Sequence, residues 1–313
     1  MNYDWVEVDG LYSQVGWRKR PKATKAIVII PGNPGLARFY EVFANHLHEN
    51  TPNANTFIFS NLGAVAGGPK QSSKFFQNKE NFLLFGQIRH KSRLIEKMID
   101  PDLEIIMVSH SIGSFMMLHL MENRPMVTRA FGLMPTIENM EDAPEGQKMT
   151  FHFSHSILVI SLVFYIIRLL PLFIRDFIVK VCTIGMHCAS SMHIRVQTDK
   201  IYLQKRGNYC DCVHRTIRDE FLCGSVIWAV FFLAENEMAL VKKRPDDLIK
   251  TNSDKLTLFY SQIDDWVPEK YYNQVIQDHP NLDVEIVDKP IGHAFVETHS
   301  IEMAEKILQK LKN

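Results

Sequence analysis

The chain has 313 residues and balances 35 Lys plus Arg against 35 Asp plus Glu, so no global field favours nucleic acid or an anionic membrane. Its length suits one large α/β domain, or such a domain with an insertion, and allows a substantial buried core. The five cysteines run from Cys182 to Cys223 and read as reduced thiols; Cys210-Asp-Cys212 lacks the spacer and the second pair of a zinc knuckle, so neither metal nor cofactor is expected. The start, Met-Asn-Tyr-Asp-Trp-Val-Glu, has no basic region followed by an apolar core, and no secretory signal is expected there.

Residues 3–17 alternate apolar and polar around Asp9-Gly10, which predicts an antiparallel hairpin. Ala26 to Ile30 is a short buried strand that runs into Pro31-Gly32-Asn33-Pro34-Gly35, and Arg38 to His48 follows with helical spacing. Thr56 to Ser60 is another strand, followed by a Gly-rich polar loop to Gln77, and Phe82 to Ile99 carries a helical apolar stripe. Ile105 to Val108 is a continuous apolar run of the kind buried on both faces of a parallel sheet. Arg129 to Met134, Lys255 to Tyr260 and Asp283 to Val287 are further strands, and Glu297 to Leu311 is a terminal amphipathic helix. Strands alternating with helices imply an α/β fold, a mainly parallel sheet with helices on both faces.

The alternation stops between about Ile137 and Ile249, which predicts a helical cap inserted into a core made of residues 1–136 and 250–313. Within the cap, 157–178 is strongly apolar around Arg168, Pro171, Arg175 and Asp176. A membrane span needs ~20 mostly apolar residues, and here Arg168 would sit near the centre with Pro171 breaking the helix beside it. The segment suits entry into one leaflet or an oil surface, with Leu158, Phe164, Leu169 and Phe173 as contacts; the competing expectation is a cap helix buried against the sheet domain.

Ser109-His-Ser111-Ile-Gly113 follows the Ile105 strand directly and precedes an apolar helix. Small residues on either side of Ser111 fit a sharp strand-to-helix turn, which exposes the hydroxyl and sets the Ile112 N–H at a helix N-terminus, where it can stabilise an oxyanion. Serine needs a base to take its proton and an acid to hold that base. The acid is expected after a late strand: Asp264 is favoured, with Asp265 as its competitor and Glu138 as a third candidate. The base is expected after the last strand, where Gly292-His293-Ala294-Phe295 selects His293 over His299 and His110. Gly32 and Gly35 free the early loop to approach an ester, with the Asn33 N–H as second oxyanion donor. A serine nucleophile argues against epoxide and haloalkane hydrolysis, which need a carboxylate at that position.

Ile30-Pro-Gly-Asn-Pro-Gly35, Ser109-His-Ser-Ile-Gly113, Met134-Pro-Thr-Ile-Glu138, Ile263-Asp264 with Trp266 and Pro268, Tyr271-Tyr272 and His293-Ala-Phe295 together resemble the lipid-droplet-associated hydrolases, a branch of the α/β-hydrolase fold. The resemblance covers nearly the whole chain. It implies a nucleophile at Ser111, an acid at Asp264 and a base at His293. It further implies monotopic attachment to lipid droplets and the endoplasmic reticulum, on the cytosolic face, through the apolar insertion, and an apolar acyl ester such as a sterol ester as substrate. Two classes therefore stay open: a serine hydrolase of neutral lipid, and a droplet-surface protein that binds lipid or partners with little or no turnover.

Overall fold

A computed structural model describes residues 1–69, 78–179 and 213–312, apart from the side chains of 150–158 and 161. Eight strands form one sheet in the order β1-β2-β4-β3-β5-β6-β7-β8. They are β1 Asn2–Val8, β2 Leu11–Arg18, β3 Lys25–Ile30, β4 Ala54–Phe59, β5 Glu104–His110, β6 Val127–Leu133, β7 Leu256–Ser261 and β8 Asp283–Val287. β1 and β2 are antiparallel around the Asp9-Gly10 turn, β2 pairs antiparallel with β4, and every pairing from β4 to β8 is parallel. Asp9 and Gly10 both have positive φ, 51° and 72°, the backbone that a two-residue hairpin turn of this hand requires.

The helices cover both faces. They are α1 Glu41–Asn50, α2 Leu84–Met98, α3 Ile112–Leu120, α4 Pro144–Leu169, α5 at 172–179, α6 Gly224–Leu240, α7 Asp246–Thr251, α8 Glu269–Asp278, α9 Phe295–Thr298 and α10 Ser300–Lys312. Successive side chains of a strand point to opposite faces, and β3 shows the result. Val28 and Ile30 join a core under α2, α3 and α8, while Ile27 and Ile29 join a second core under α1 and α10.

The predicted terminal helix is interrupted. α9 ends at Thr298, His299 leaves helical geometry at φ −132°, and α10 begins at Ser300, whose hydroxyl donates back to the Val296 carbonyl. Periodicity alone continues through such a break because the apolar stripe resumes in phase.

The segment between β6 and β7 does not add strands among the described residues. Its two ends are tied together: Asn139 and Met140 N–H donate to the Lys242 and Val241 carbonyls at 3.3 and 3.0 Å. α4 lies along α6. Glu220, in the one-turn 217–221 stretch, ties this segment to the core through Arg38 and through Gln14 Nε2 at 3.3 Å. The apolar stretch from 157 is split by Pro171 into the end of α4 and α5, as its position in the sequence requires. Val159, Leu162, Tyr165, Leu169, Leu172, Phe173 and Phe177 are exposed, with Leu169 and Phe173 at 70% and 74%, so this surface is not buried against the sheet domain. Phe164 differs: it is half-buried, its ring edge-on to Phe221, while Leu158 lies outside the described side chains. Arg168 turns its guanidinium to the Asp219 carbonyl at 3.1 Å. Among the described residues, no helix is long and apolar enough to cross a membrane. Cys182, Cys188, Cys210 and Cys212 lie outside the described residues, and Cys223 is a free thiol.

Candidate active site

In an open parallel sheet, loops at the carboxyl ends of the strands gather on one edge. Here the loops after β3, β5, β7 and β8 supply the site. β5 ends at His110, and Ser111 turns the chain into α3 with φ 54° and ψ −129°, a strained conformation for a side-chain-bearing residue. The turn is pinned by the Ser111 N–H donating to the Leu133 carbonyl at 2.9 Å and by Ser114 N–H donating to the Ser111 carbonyl at 2.9 Å. Gly113 is obligatory, because a Cβ there would stand 2.3 Å from the Ile30 carbonyl oxygen. Ser109, in contrast, is accommodated: its hydroxyl is 3.1 Å from both Ser114 Oγ and the Phe131 carbonyl, so the polar group is satisfied inside the elbow.

His293 lies on the loop between β8 and α9. Its Nε2 is 2.9 Å from Ser111 Oγ, and its Nδ1 is 2.7 Å from Asp264 Oδ2. Asp264 Oδ1 accepts the N–H groups of Trp266 and Val267 at 2.8 and 3.0 Å. One carboxylate oxygen therefore closes its own turn while the other remains for the imidazole. Burial would raise the Asp264 pKa, yet the facing imidazole, its hydrogen bond and the two N–H groups together hold it below the ordinary value. Ser261 Oγ donates to the Ile291 carbonyl at 2.6 Å and accepts the Ile263 N–H at 3.1 Å, tying the acid loop to the histidine loop.

The competing carboxylates are engaged elsewhere. Asp265 is exposed, with Lys148 4.0 Å away. Glu138 is buried against Arg244 at 3.0 Å, and the same guanidinium reaches Asp246 and Asp278. Burial pushes the Glu138 carboxyl up, against the pull of Arg244. His299 sits at the start of α10 with Nδ1 on Thr298 Oγ1 at 2.8 Å, and His110 points away from Ser111 toward Tyr40.

The early loop approaches Ser111 directly, with Gly32 against its side chain. Its anchors are Gly32 N–H to Tyr40 Oη at 3.0 Å, Asn61 Nδ2 to the Gly32 carbonyl at 3.3 Å, and Asn61 N–H to the Gly35 carbonyl at 2.8 Å. Asn33 turns its side chain to α6, donating to the Val230 carbonyl at 3.0 Å and to Glu237 Oε2 at 3.4 Å. None of these bonds uses the Asn33 backbone N–H, and the Ile112 N–H, first in α3, has no partner within its own helix.

Several residues at the site are given no role by the sequence reading. Thr136 Oγ1 is 3.4 Å from Ser111 Oγ, and its N–H donates to the Ser111 carbonyl at 3.3 Å. Lys91 is fully buried on α2 and donates to Asn61 Oδ1 at 2.6 Å. Burial lowers its pKa to about 7 despite Glu237, and burial raises that of Glu237 to about 8 despite Asn33 and Lys91. Lys91 on α2, Thr136 in the loop after β6 and Glu237 on α6 are far apart in sequence, and only folding brings them to the site. Among the described residues, no group of His, Cys, Asp and Glu could hold a metal.

A family model described as lipid-droplet associated hydrolase matches residues 23–296. Curated relatives named lipid droplet-associated hydrolase include one from Drosophila melanogaster, 31% identical over 296 residues that cover 92% of this chain and 89% of that protein. Another from Homo sapiens is 31% identical over 305 residues, covering 94% and 86%. Among solved structures, the haloalkane dehalogenase DatA from Agrobacterium tumefaciens aligns with TM-score 0.63 at 13% identity over 99% of this chain and 96% of that one. A thioesterase domain from the curacin biosynthetic pathway aligns with TM-score 0.61 at 11% identity over 98% and 99%. These structural likenesses establish the α/β-hydrolase fold.

Proposed function

The chain belongs to the lipid-droplet associated hydrolase family, and from that premise we propose that it is a serine hydrolase cleaving an apolar acyl ester, a sterol ester or another neutral lipid, at the droplet surface. The observation that carries this reading is the unbroken chain Ser111 Oγ, His293 Nε2, His293 Nδ1, Asp264 Oδ2, with separations of 2.9 and 2.7 Å. Ser111 attacks the ester carbonyl as its proton passes to His293 Nε2. Asp264 holds the ring with Nδ1 protonated and stabilises the imidazolium that forms. The oxyanion is met by the N–H groups of Ile112 and Asn33. His293 then gives the proton to the departing alcohol, and a water, deprotonated by the same ring, releases the acid from the acyl-serine.

The apolar surface of α4 and α5, Leu169 and Phe173 foremost, is the face we assign to the droplet, with the cytosolic face of the endoplasmic reticulum as the related membrane. Fully burying one such side chain is worth about 1.5–3 kcal/mol, so a few suffice for reversible attachment. That same surface would equally serve a droplet-bound protein without turnover. Fluorophosphonate labelling of the wild type beside Ser111→Ala and His293→Ala, with and without droplets, separates the two. Labelling lost in both variants supports the hydrolase; a folded wild type that never labels leaves the binding protein.

A further inference from the structure

His110, next to the nucleophile in sequence, takes no part in the chemistry above. It is buried at 6% exposure, and its ring centroid is 5.9 Å from that of Tyr40, 5.1 Å from that of His293 and 5.0 Å from that of Phe295. Its Nε2 is 2.8 Å from the main-chain oxygen of His293, and its Nδ1 is 2.7 Å from Tyr40 Oη. The Gly32 N–H meets that same hydroxyl at 3.0 Å.

The direction of every bond in this chain follows from its ends. A carbonyl oxygen can only accept, so His110 Nε2 carries a proton. Burial, and the neighbouring His293, hold the ring neutral with a pKa of about 3. Nδ1 is then an acceptor, Tyr40 donates to it, and the hydroxyl's lone pair receives the Gly32 N–H. The chain therefore reads Gly32 N–H to Tyr40 Oη, Tyr40 O–H to His110 Nδ1, and His110 Nε2–H to the His293 carbonyl. One consequence is that the Gly32 N–H is already committed, leaving the next N–H, that of Asn33, for an oxyanion.

The sheet joins the oxyanion loop to the elbow, because β3 pairs with β5 up to Ile30 opposite Ser109, but it does not join the His293 loop to either. Among the described residues β8, which leads into the His293 loop, pairs with β7 alone, and β6 and β7 stand between it and β5. No ladder bond sets the height of His293 over the elbow, whereas His110 reaches directly from the elbow to the His293 main chain. We propose that Tyr40 and His110 are positioning residues, one hydrogen-bonded unit that holds the oxyanion loop and the His293 loop in register with Ser111. The proposal rests on the Ser111, His293 and Asp264 reading.

The test measures the rate of fluorophosphonate labelling in Tyr40→Phe, His110→Phe, the double variant and His110→Gln, with thermal midpoints alongside. Tyr40→Phe removes one oxygen and keeps the ring. Each Phe variant is expected to label about tenfold to a hundredfold more slowly, the scale that misplacement of a reacting group produces. The double variant should be no slower than the slower single, since both break one unit. His110→Gln keeps a donor for the His293 carbonyl and should recover part of the rate. Folded single variants that label at the wild-type rate, or a double variant whose losses multiply, would overturn the proposal.

Nitrogen-15 NMR of the histidines gives a readout independent of turnover. The wild type should show His110 as the Nε2-protonated tautomer, and Tyr40→Phe should displace the His293 Nδ1–H resonance. A Nδ1-protonated His110 overturns the proposal whatever the variants do. If the wild type fails to label yet shows both NMR features, the hydrolase reading falls and the positioning chain stands. If the wild type labels while Tyr40→Phe changes neither rate nor resonance, the chain falls and the hydrolase reading stands.

Discussion

A Cβ built on Gly32 would stand 2.8 Å from the Cβ of Ser111 and 3.1 Å from the His110 carbonyl oxygen. The early loop and the elbow thus touch backbone to side chain, with no room for a methyl group. Gly32→Ala must push one of them away, and overpacking of this kind costs about 1–3 kcal/mol. The expected outcome is a lower denaturation midpoint and labelling slowed by at least about tenfold, because the Asn33 N–H moves with the loop. A Gly32→Ala protein that labels as fast as wild type would show that this loop holds no oxyanion.

Glu138 and Arg244 are expected to matter to stability and not to chemistry. Arg244 is buried and binds Glu138, Asp246 and Asp278, joining the loop after β6 to α7 and α8. Removing one member of a buried ion pair strands the other, at about 3–5 kcal/mol. Arg244→Ala should lose that much in urea unfolding. Glu138→Gln should also be destabilised but keep its labelling rate once folded, whereas Asp264→Asn should lose most of it. The reverse pattern would make Glu138 the acid.

Asp264 also sets a dependence on acid. Its pKa in the fold lies below the ordinary carboxylate value of about 3.9. The stability it contributes is therefore present above that value and lost as pH falls through the lower folded value. Unfolding curves taken between about pH 5 and pH 2 should show wild type converging on Asp264→Asn as acid is added. Parallel curves would mean that the carboxylate makes no net stabilising contact.

Glu237 works in the opposite sense. Burial raises its pKa to about 8, so its contribution is greatest in acid and is lost as pH rises through that value. Lys91, lowered to about 7 by burial, begins to oppose this only near neutrality. Between about pH 5 and 7 the wild type should lose stability relative to Glu237→Gln as pH rises, which a series of thermal melts would detect. An identical slope in both proteins would mean that Glu237 keeps an ordinary pKa.

The droplet surface is testable by charge. Leu169→Glu and Phe173→Glu place a carboxylate where the side chain is now exposed and apolar. Either should reduce flotation with purified droplets severalfold and the pair should abolish it, while labelling in solution and the melting midpoint stay as in wild type. Unchanged flotation of the double variant would place the contact elsewhere in the chain.

What the sequence by itself determined is local. The Asp9-Gly10 turn, the buried strands and the small residues around Ser111 are each dictated by backbone sterics and by the period of apolar side chains, which are visible within a few residues. The order Ser111, Asp264, His293 was legible because each follows a recognisable strand. Tertiary structure decided the rest. That Asp264 and not Asp265 faces the imidazole depends on which oxygen accepts the Trp266 and Val267 N–H groups. Whether an apolar run is core or surface depends on what covers it, and Leu169 and Phe173 are not covered. Tyr40, Lys91 and Glu237 were silent in the sequence, and His110 was read there only as a rejected base, because the partners they reach, namely His110, Asn61, Asn33 and the His293 carbonyl, lie 30 to 204 positions away, and a hydrogen bond has no period to read.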